Sequence, residues 1–343
     1  RGRRLLDRRG IGLMAKSGTI GWGIVGTGNM AESFATALQQ VDDGVPLAVS
    51  SRSGPRARAF ADRFNIPTAC TGYSELISNA AVDVVYIATP HASHSEIATA
   101  CLEHGKAVLC EKPFTINATQ ARRVIELARE KNLFLMEAMW TRFVPAIEKL
   151  RELLSEQTIG DIQVMLAGGA YMPEFDPDHY LFNKALGGGI LLDAGVYLVS
   201  LASMIFGKPE QVLATGQLGK TGVDEHEAIL LTHGRGEIAS LYVSHRARSA
   251  PDLTLLGSRG KIHLHPPVFC PGGLTLSVDG AADEIFEFPA TLSGYHFEIQ
   301  EVNRCLQAGS KESALMPLDE TLAVMATMDA IRSQLGLRYK EDS

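Results

Sequence analysis

The sequence predicts an α/β chain in two parts, and three observations carry that prediction. Between Thr19 and Glu137, short apolar runs alternate with stretches of helical spacing; the first of these runs enters a glycine turn; and after Glu137 strand follows strand. Alternating βα units build a parallel sheet, whereas consecutive strands build a largely antiparallel one in an α+β arrangement. The expected domains are therefore residues 19–137 and 138–343, preceded by a flexible basic extension over residues 1–18.

At 343 residues and 45% hydrophobic content, the chain is long enough for two cores. Its net charge of -7 and pI near 5.8 argue against nucleic acid or an anionic membrane surface as a partner. No apolar run reads as a membrane span. Cys70, Cys101, Cys110, Cys270 and Cys305 are scattered without a CxxC, which favours reduced thiols in a cytoplasmic chain over a disulfide framework or zinc. At the N-terminus, Arg3-Arg4 has the look of a twin-arginine signal, but Asp7, Arg8, Arg9 and Gly10 interrupt any apolar stretch, so export is not expected. Met14-Ala15-Lys16 reads as a start, with the residues before it outside the fold.

TIGWGIVGTGNMAESFATALQQ is a strand, a glycine turn and a helix with apolar spacing at Met30, Phe34, Ala37 and Leu38. The turn fits G-x-G-x-x-A at Gly26, Gly28 and Ala31. Gly26 permits the tight turn, Gly28 lets the backbone approach a pyrophosphate, and Ala31 allows close helix packing. The helix N-terminus then faces the phosphates with its partial positive charge. This reads as a Rossmann dinucleotide-binding domain, with Thr27, Asn29 and Met30 in the same binding turn; the plainer alternative is a tight turn without ligand. The second strand, PLAVSSRS, ends on Ser51, Arg52 and Ser53, where an NAD site would carry Asp or Glu. A guanidinium and two hydroxyls suit a 2′-phosphate, so NADP is favoured over NAD, against the alternative of a solvated arginine.

DVVYIATPHASH is a further buried strand ending at Thr89-Pro90, and KAVLCEKPF repeats the design with a strand Ala107–Cys110 leading into Glu111-Lys112-Pro113. Such carboxyl ends are where open α/β sheets place ligands. His91 and His94 lack a third ligand at useful spacing, so no metal is expected. His94 reads as structural or ribose-adjacent and joins Thr89, Pro90, Glu111 and Lys112 in the cofactor set; His91 reads as loop surface.

Beyond Glu137, residues 161–171, 211–217, 226–232, 237–245, 252–256 and 261–265 read as strands joined by polar turns. Trp140, Arg142 and Phe143 read either as an aromatic hinge plug or as a pocket wall. Tyr171, Phe175, Asp176 and His179 lie in a Pro-flanked loop that could line the same cleft. GGGILLDAGVYLVSLASMIFG, residues 187–207, reads as a glycine turn and a buried helix with Asp193 and Tyr197 on one face. Such a pair closes off a core or forms a catalytic edge. Residues 317–335 read as an amphipathic helix returning towards the first domain.

GTGNMA, ATPHASH and CEKPF, in this order and spacing, resemble the glucose-fructose oxidoreductase / inositol dehydrogenase (Gfo/Idh/MocA) family. LFLMEAMWTRFVPAI, the 187–207 helix, GSRGKIHL and GYHFEIQEVNRCLQAG are similar to its dimeric dihydrodiol dehydrogenase branch, which also holds NADP-dependent xylose dehydrogenases. The likeness runs from about Thr19 to Tyr339. It implies an open-faced second sheet whose exposed side makes a homodimer or larger homo-oligomer. It also implies Lys112 beside the nicotinamide, Tyr197 as acid/base, and Trp140, Arg142, Phe143 and Tyr171 along the substrate. A tyrosine with its pKa near 10 needs a neighbouring cation to act as a base, and Lys112 is the candidate. Asp193 would hold Lys112 charged or bind a second substrate hydroxyl. Many members carry D-x-x-x-H on this helix; Tyr197 in the His position points to a Tyr-Lys pair. The expected function is hydride transfer between NADP and a small-molecule sugar or vicinal diol. The alternatives are a nucleotide-binding sensor without chemistry, or an oxidoreductase that retains and recycles its cofactor.

Overall fold

Short apolar runs flanked by helices give the computed structural model a first sheet of six parallel strands. The structure describes residues 18–288 and 294–342 and the backbone of two short strands, Arg4–Leu6 (β1) and Gly12–Met14 (β2), which pair antiparallel. The rest of the basic extension read over residues 1–18 lies outside the described residues. The chain divides into two compact units: Arg1–Phe114 with Gln120–Trp140 and Leu292–Leu318, and Thr115–Thr119 with Thr141–Thr291 and Asp319–Ser343.

In the first unit the elements run Ile20–Val25 (β3), Asn29–Leu38 (α1), Gly44–Ser51 (β4), Gly54–Phe64 (α2), Thr68–Thr71 (β5), Ser74–Ser78 (α3), Val84–Ile87 (β6), His94–Glu103 (α4), Ala107–Glu111 (β7), Ala118–Glu130 (α5) and Leu135–Ala138 (β8). The sheet order is β5-β4-β3-β6-β7-β8, so the chain reverses direction between β3 and β6, where doubly wound sheets open a crevice for ligands. Its central strands are apolar on both faces, as a sheet sandwiched by helices requires; Trp22, Ile24, Val84, Val85, Val108 and Leu109 are fully buried.

The second unit holds Pro145–Ser155 (α6), Ile162–Ala170 (β9), Val196–Phe206 (α7), Gln211–Leu218 (β10), Asp224–Thr232 (β11), Ile238–Ser244 (β12), Ser249–Gly257 (β13), Gly260–Leu264 (β14), Gly273–Val278 (β15) and Glu284–Glu287 (β16). These strands form one sheet, ordered β10-β11-β12-β9-β13-β14-β15-β16. Only β9 and β12 pair in parallel; every other pairing is antiparallel. β15 and β16 extend the sheet beyond the strands read in the sequence; β15 follows the Pro- and Gly-rich stretch PPVFCPG, and β16 is only four residues long.

Side chains alternate cleanly across this sheet. Ile229, Leu231, Leu241, Met165, Leu255 and Ile262 point into the core. On the other face, register lines up Leu213, Leu230, Ser240, Leu166 and Thr254 across neighbouring strands. Leu213, Leu230, Leu166 and the nearby Tyr242 are exposed, and the Tyr242 ring lies where a side chain on Gly168 would be. Along the β10 edge, Gln334 of the helix Leu318–Leu335 accepts from Ala214 N–H at 2.9 Å and donates to the Val212 carbonyl at 2.7 Å.

Two helices near the C-terminus depart from the expected division. Tyr295–Ala308 (α8) belongs to the first unit, while most of Leu318–Leu335 (α9), the helix expected to return there, belongs to the second. The reason is polar matching: Asn303 accepts from the Trp22 indole at 3.1 Å and donates to Asp43 at 2.7 Å, and Gln307 donates to Asp43 at 2.9 Å. A second correction concerns membrane spans. The helical stretch Lys184–Phe206 is long and apolar enough to cross a bilayer by composition, but most of it is buried, as in a core helix.

Arg142 and Phe143 are both buried. Arg142 donates to the Ser200 hydroxyl and carbonyl on α7 (3.1 and 2.7 Å) and to Glu320 on α9 (2.6 Å). It fastens two helices of the second unit through one guanidinium. Truncating one member of such a buried pair strands the other charge. Arg142→Leu is expected to cost about 3 kcal/mol of stability. Urea denaturation checks this; an unchanged midpoint would show the clamp to be dispensable.

Candidate active site

The first unit carries a nucleotide cradle. Gly26 has φ 122°, and a Cβ there would sit 2.1 Å from the Ala88 carbonyl, so glycine is obligatory for the fold itself. Gly28 differs. It sits at the N-cap of α1 with ordinary φ −91°, and a Cβ would meet nothing within 4 Å among the described residues. No described side chain caps this helix, so its first N–H groups remain available to an anion. Asn29 and Met30 are exposed on that first turn. At the end of β4, Ser51 lies 3.4 Å from the Thr27 hydroxyl and accepts from Ser53 N–H, Ser53 caps α2, and Arg52 is exposed. Arg56, which the sequence reading missed, reaches back from α2 to the Thr27 carbonyl at 3.5 Å. Its signal was the spacing S-R-S-x-x-R. These groups fit an NAD(P) pyrophosphate and ribose.

The ends of β6 and β7 supply the reactive side. Ser93 bridges Thr89 and Pro90, donating to the Pro90 carbonyl at 2.8 Å. His94 is fully buried, its ring nitrogens meeting the Thr89 carbonyl at 2.8 Å and the Pro113 carbonyl at 2.9 Å; burial lowers its pKa. It ties the two strand ends together and has no surface left for a ribose, which corrects its place in the cofactor set. His91 is buried too rather than loop surface. Lys112-Pro113 is cis. Glu111 points inward, accepting from Tyr86 O–H at 2.5 Å and Lys112 N–H at 3.1 Å, and so supports the lysine's backbone. Burial pushes its carboxyl up, and does so still more strongly for the fully buried Glu298 of α8, where the Glu111 charge adds to the effect. Trp140 stacks on Tyr295 with ring centroids 5.3 Å apart.

The second unit carries its own polar cluster. Gly188 and Gly189 have no room for side chains: a Cβ would lie 2.5 Å from the Tyr180 carbonyl and 2.0 Å from Asp224 Oδ1, respectively. Asp224 accepts from Leu191 N–H at 2.6 Å and so anchors the helix start. Glu227 lies against Asp224, and burial with that neighbouring charge holds its carboxyl well above the usual range. The helix opens not as regular α but as a π turn, Leu191–Gly195, before α7 begins at Val196. Such bulges often re-aim functional side chains. Here Asp193 sits on the π turn and Tyr197 on the α-helix, so the single-face spacing read from the sequence is only approximate.

Tyr171 donates a short hydrogen bond to Asp193 Oδ2, and Tyr180 lies 3.5 Å from Oδ1. Burial and the Asp193 charge push the Tyr171 phenol up. His245, at 2.9 Å, completes the group from the far side of Tyr171. The Tyr197 ring lies 5.8 Å from that of Phe269. In the connecting loop, Phe175 packs edge-on against Phe182, His179 against Tyr180, and Asp176 accepts from Asp178 N–H. Tyr180, His245, Asp224 and Glu227 escaped the sequence reading, since each is a lone polar residue in a strand or loop with no motif around it. Among the described residues no group of three or more His, Cys, Asp or Glu could hold a metal.

The phosphate cradle of the first unit suits nucleotide-dependent redox chemistry, and the carboxylate and phenols of the second unit suit a hydroxylated ligand. The comparisons agree. Residues 20–139 match the oxidoreductase family model with an NAD-binding Rossmann fold, and residues 147–263 match the GFO/IDH/MocA C-terminal domain. The trans-1,2-dihydrobenzene-1,2-diol dehydrogenase of Mus musculus is 37% identical over 335 residues, covering 94% of this chain and 98% of the relative. KijD10, a 3-ketoreductase from Actinomadura kijaniata solved with NADP and TDP-benzene, superposes with a TM-score of 0.83 at 27% identity, over 92% of this chain and 98% of its own. A levoglucosan dehydrogenase solved with NADH and levoglucosan shares the fold, with a TM-score of 0.85 at 19% identity over 93% and 97% of the two chains. The chain is an NAD(P)-dependent oxidoreductase, and it belongs to the Gfo/Idh/MocA family.

Proposed function

We propose that this enzyme transfers a hydride between NADP and a secondary alcohol, or aldose C1, of a vicinal diol or sugar. The observation that carries the reading is the second unit's cluster: Asp193, with the hydroxyls of Tyr171 and Tyr180 on it and the phenol of Tyr197 on the same helix. One carboxylate and a separate phenol suit a substrate with two neighbouring hydroxyls, one held and one oxidised. The diol named for the mouse relative supports this class.

When bound, the nicotinamide accepts or returns the hydride. Tyr197 takes the hydroxyl proton in the oxidation direction. Lys112, at the carboxyl end of β7, contributes the ammonium that favours phenolate and polarises the reacting oxygen. Asp193 accepts the second hydroxyl. Arg52 and Arg56, with Ser51 and Ser53 and no carboxylate at the β4 end, favour a 2′-phosphate; the NADP bound to KijD10 supports that choice. The exposed Leu213, Leu230, Leu166 and Tyr242 fit a second copy of this chain, since an apolar sheet face of this kind is costly in water.

Lys112→Met and Tyr197→Phe should each lower kcat by about a thousandfold, with NADPH affinity, followed by nicotinamide fluorescence, nearly unchanged. Substantial turnover by Lys112→Met would sink the mechanism. Combined Arg52→Asp and Arg56→Ala substitutions should shift the NADP-over-NAD preference in kcat/KM by about a hundredfold towards NAD; an unshifted ratio would locate specificity elsewhere. Leu230→Asp should convert the assembly to monomers in light scattering, and a wild-type monomer would remove this role of the sheet face.

A further inference from the structure

β9 and β12, the parallel pair of the second sheet, run side by side with Ala170 opposite Ser244. The next residue of each, Tyr171 and His245, therefore leaves the sheet at the same edge, where an antiparallel pairing would put them at opposite ends. Both backbones are pinned at the point of departure: Tyr171 N–H donates to the Ser244 carbonyl at 3.0 Å, and His245 N–H to the Glu225 carbonyl at 2.7 Å. The His245 ring then meets Tyr171 edge-on at 4.8 Å, with Phe182 at 5.7 Å on another side.

Hydrogen-bond accounting gives this group a direction. A carboxylate can only accept, so the Tyr171 hydroxyl donates to Asp193 Oδ2. Its oxygen must then accept from His245, and Nε2, at 2.9 Å, carries the proton. A neutral imidazole has one N–H, which leaves Nδ1 bare. Nδ1 is the atom for which the fold offers no hydrogen-bond partner among the described residues, in a side chain only 4% exposed. A proton there would be a buried donor without an acceptor, and burial lowers the pKa of this histidine accordingly.

We propose that His245 is a positioning residue: its Nε2–H holds the Tyr171 hydroxyl, and Tyr171 in turn fixes Asp193 as the carboxylate that receives a substrate hydroxyl. This rests on the role given to Asp193 under the proposed function.

The test uses Tyr171→Phe, His245→Leu and His245→Gln in the full-length protein, with trans-1,2-dihydrobenzene-1,2-diol and D-xylose as probes and NADP as oxidant. Tyr171→Phe and His245→Leu should raise the alcohol KM about ten- to hundredfold with kcat changed less than about threefold and the KM for NADP unchanged. His245→Gln, whose amide can donate from a similar position, should restore most of the loss. Adding His245→Leu to Tyr171→Phe should cost nothing further, because the histidine acts through the tyrosine. A fall in kcat at constant KM, or Gln no better than Leu, overturns the proposal. Long-range 1H–15N spectra, with His245 assigned by its loss in His245→Gln, should show the neutral Nε2–H tautomer near pH ~7; an Nδ1–H tautomer or an imidazolium overturns it without reference to catalysis. Wild-type protein silent on both alcohols defeats the hydride-transfer reading, and the spectrum then decides the role of His245 alone.

Discussion

The arrangement of the second unit's functional side chains hangs on one buried carboxylate. Asp224 receives Leu191 N–H at 2.6 Å, where the helix bearing Asp193 and Tyr197 begins. The contact is possible because Gly189 leaves the space that Asp224 Oδ1 occupies; Glu227 lies against it, its carboxyl pushed up by burial and the Asp224 charge. A charge buried this deeply costs several kcal/mol unless its partners are in place. The glycines, the acid pair and the helix start therefore stand or fall together, and the position of Asp193 follows from them.

The nucleotide half is governed by a different constraint, the absence of Cβ atoms. Gly26 and Gly28 look alike in a motif yet serve different ends. At Gly26 the neighbouring strand's own carbonyl fills the space. At Gly28 the protein leaves it open. One glycine answers to the fold and the other to the ligand, a distinction that a pattern of letters cannot make.

That contrast marks where the sequence was legible. Local rules carried the first sheet: strand, glycine turn and helix are contiguous, and the EKP turn lies in one short segment. The second sheet's alternation was read for most strands but not for β15, which alternates at Leu274, Leu276 and Val278 but follows a Pro- and Gly-rich stretch, nor for the four-residue β16. What failed was whatever depends on pairing partners distant in the chain. Arg142 reads as part of a hinge plug or a pocket wall beside Trp140 and Phe143, and only the folded positions of Ser200 and Glu320 reveal a clamp. His94 reads as structural or ribose-adjacent, and only the fold, with both ring nitrogens on carbonyls, favours the structural reading. His245 ends a strand as an unremarked polar residue; its meeting with Tyr171 arises from the parallel register of β9 and β12, which no local signal announces.

Gln334 has a consequence for how this molecule meets others. Its amide accepts from one backbone N–H of β10 and donates to a nearby carbonyl, so a single side chain imitates a short length of partner strand. The opposite margin ends in the four-residue β16, with glutamates at both ends. Both borders of the sheet are thereby poor templates for an added strand. Side-by-side polymerisation through continuous hydrogen bonding is discouraged at either border, and the broad apolar surface between them is left as the route by which the sheet can be covered.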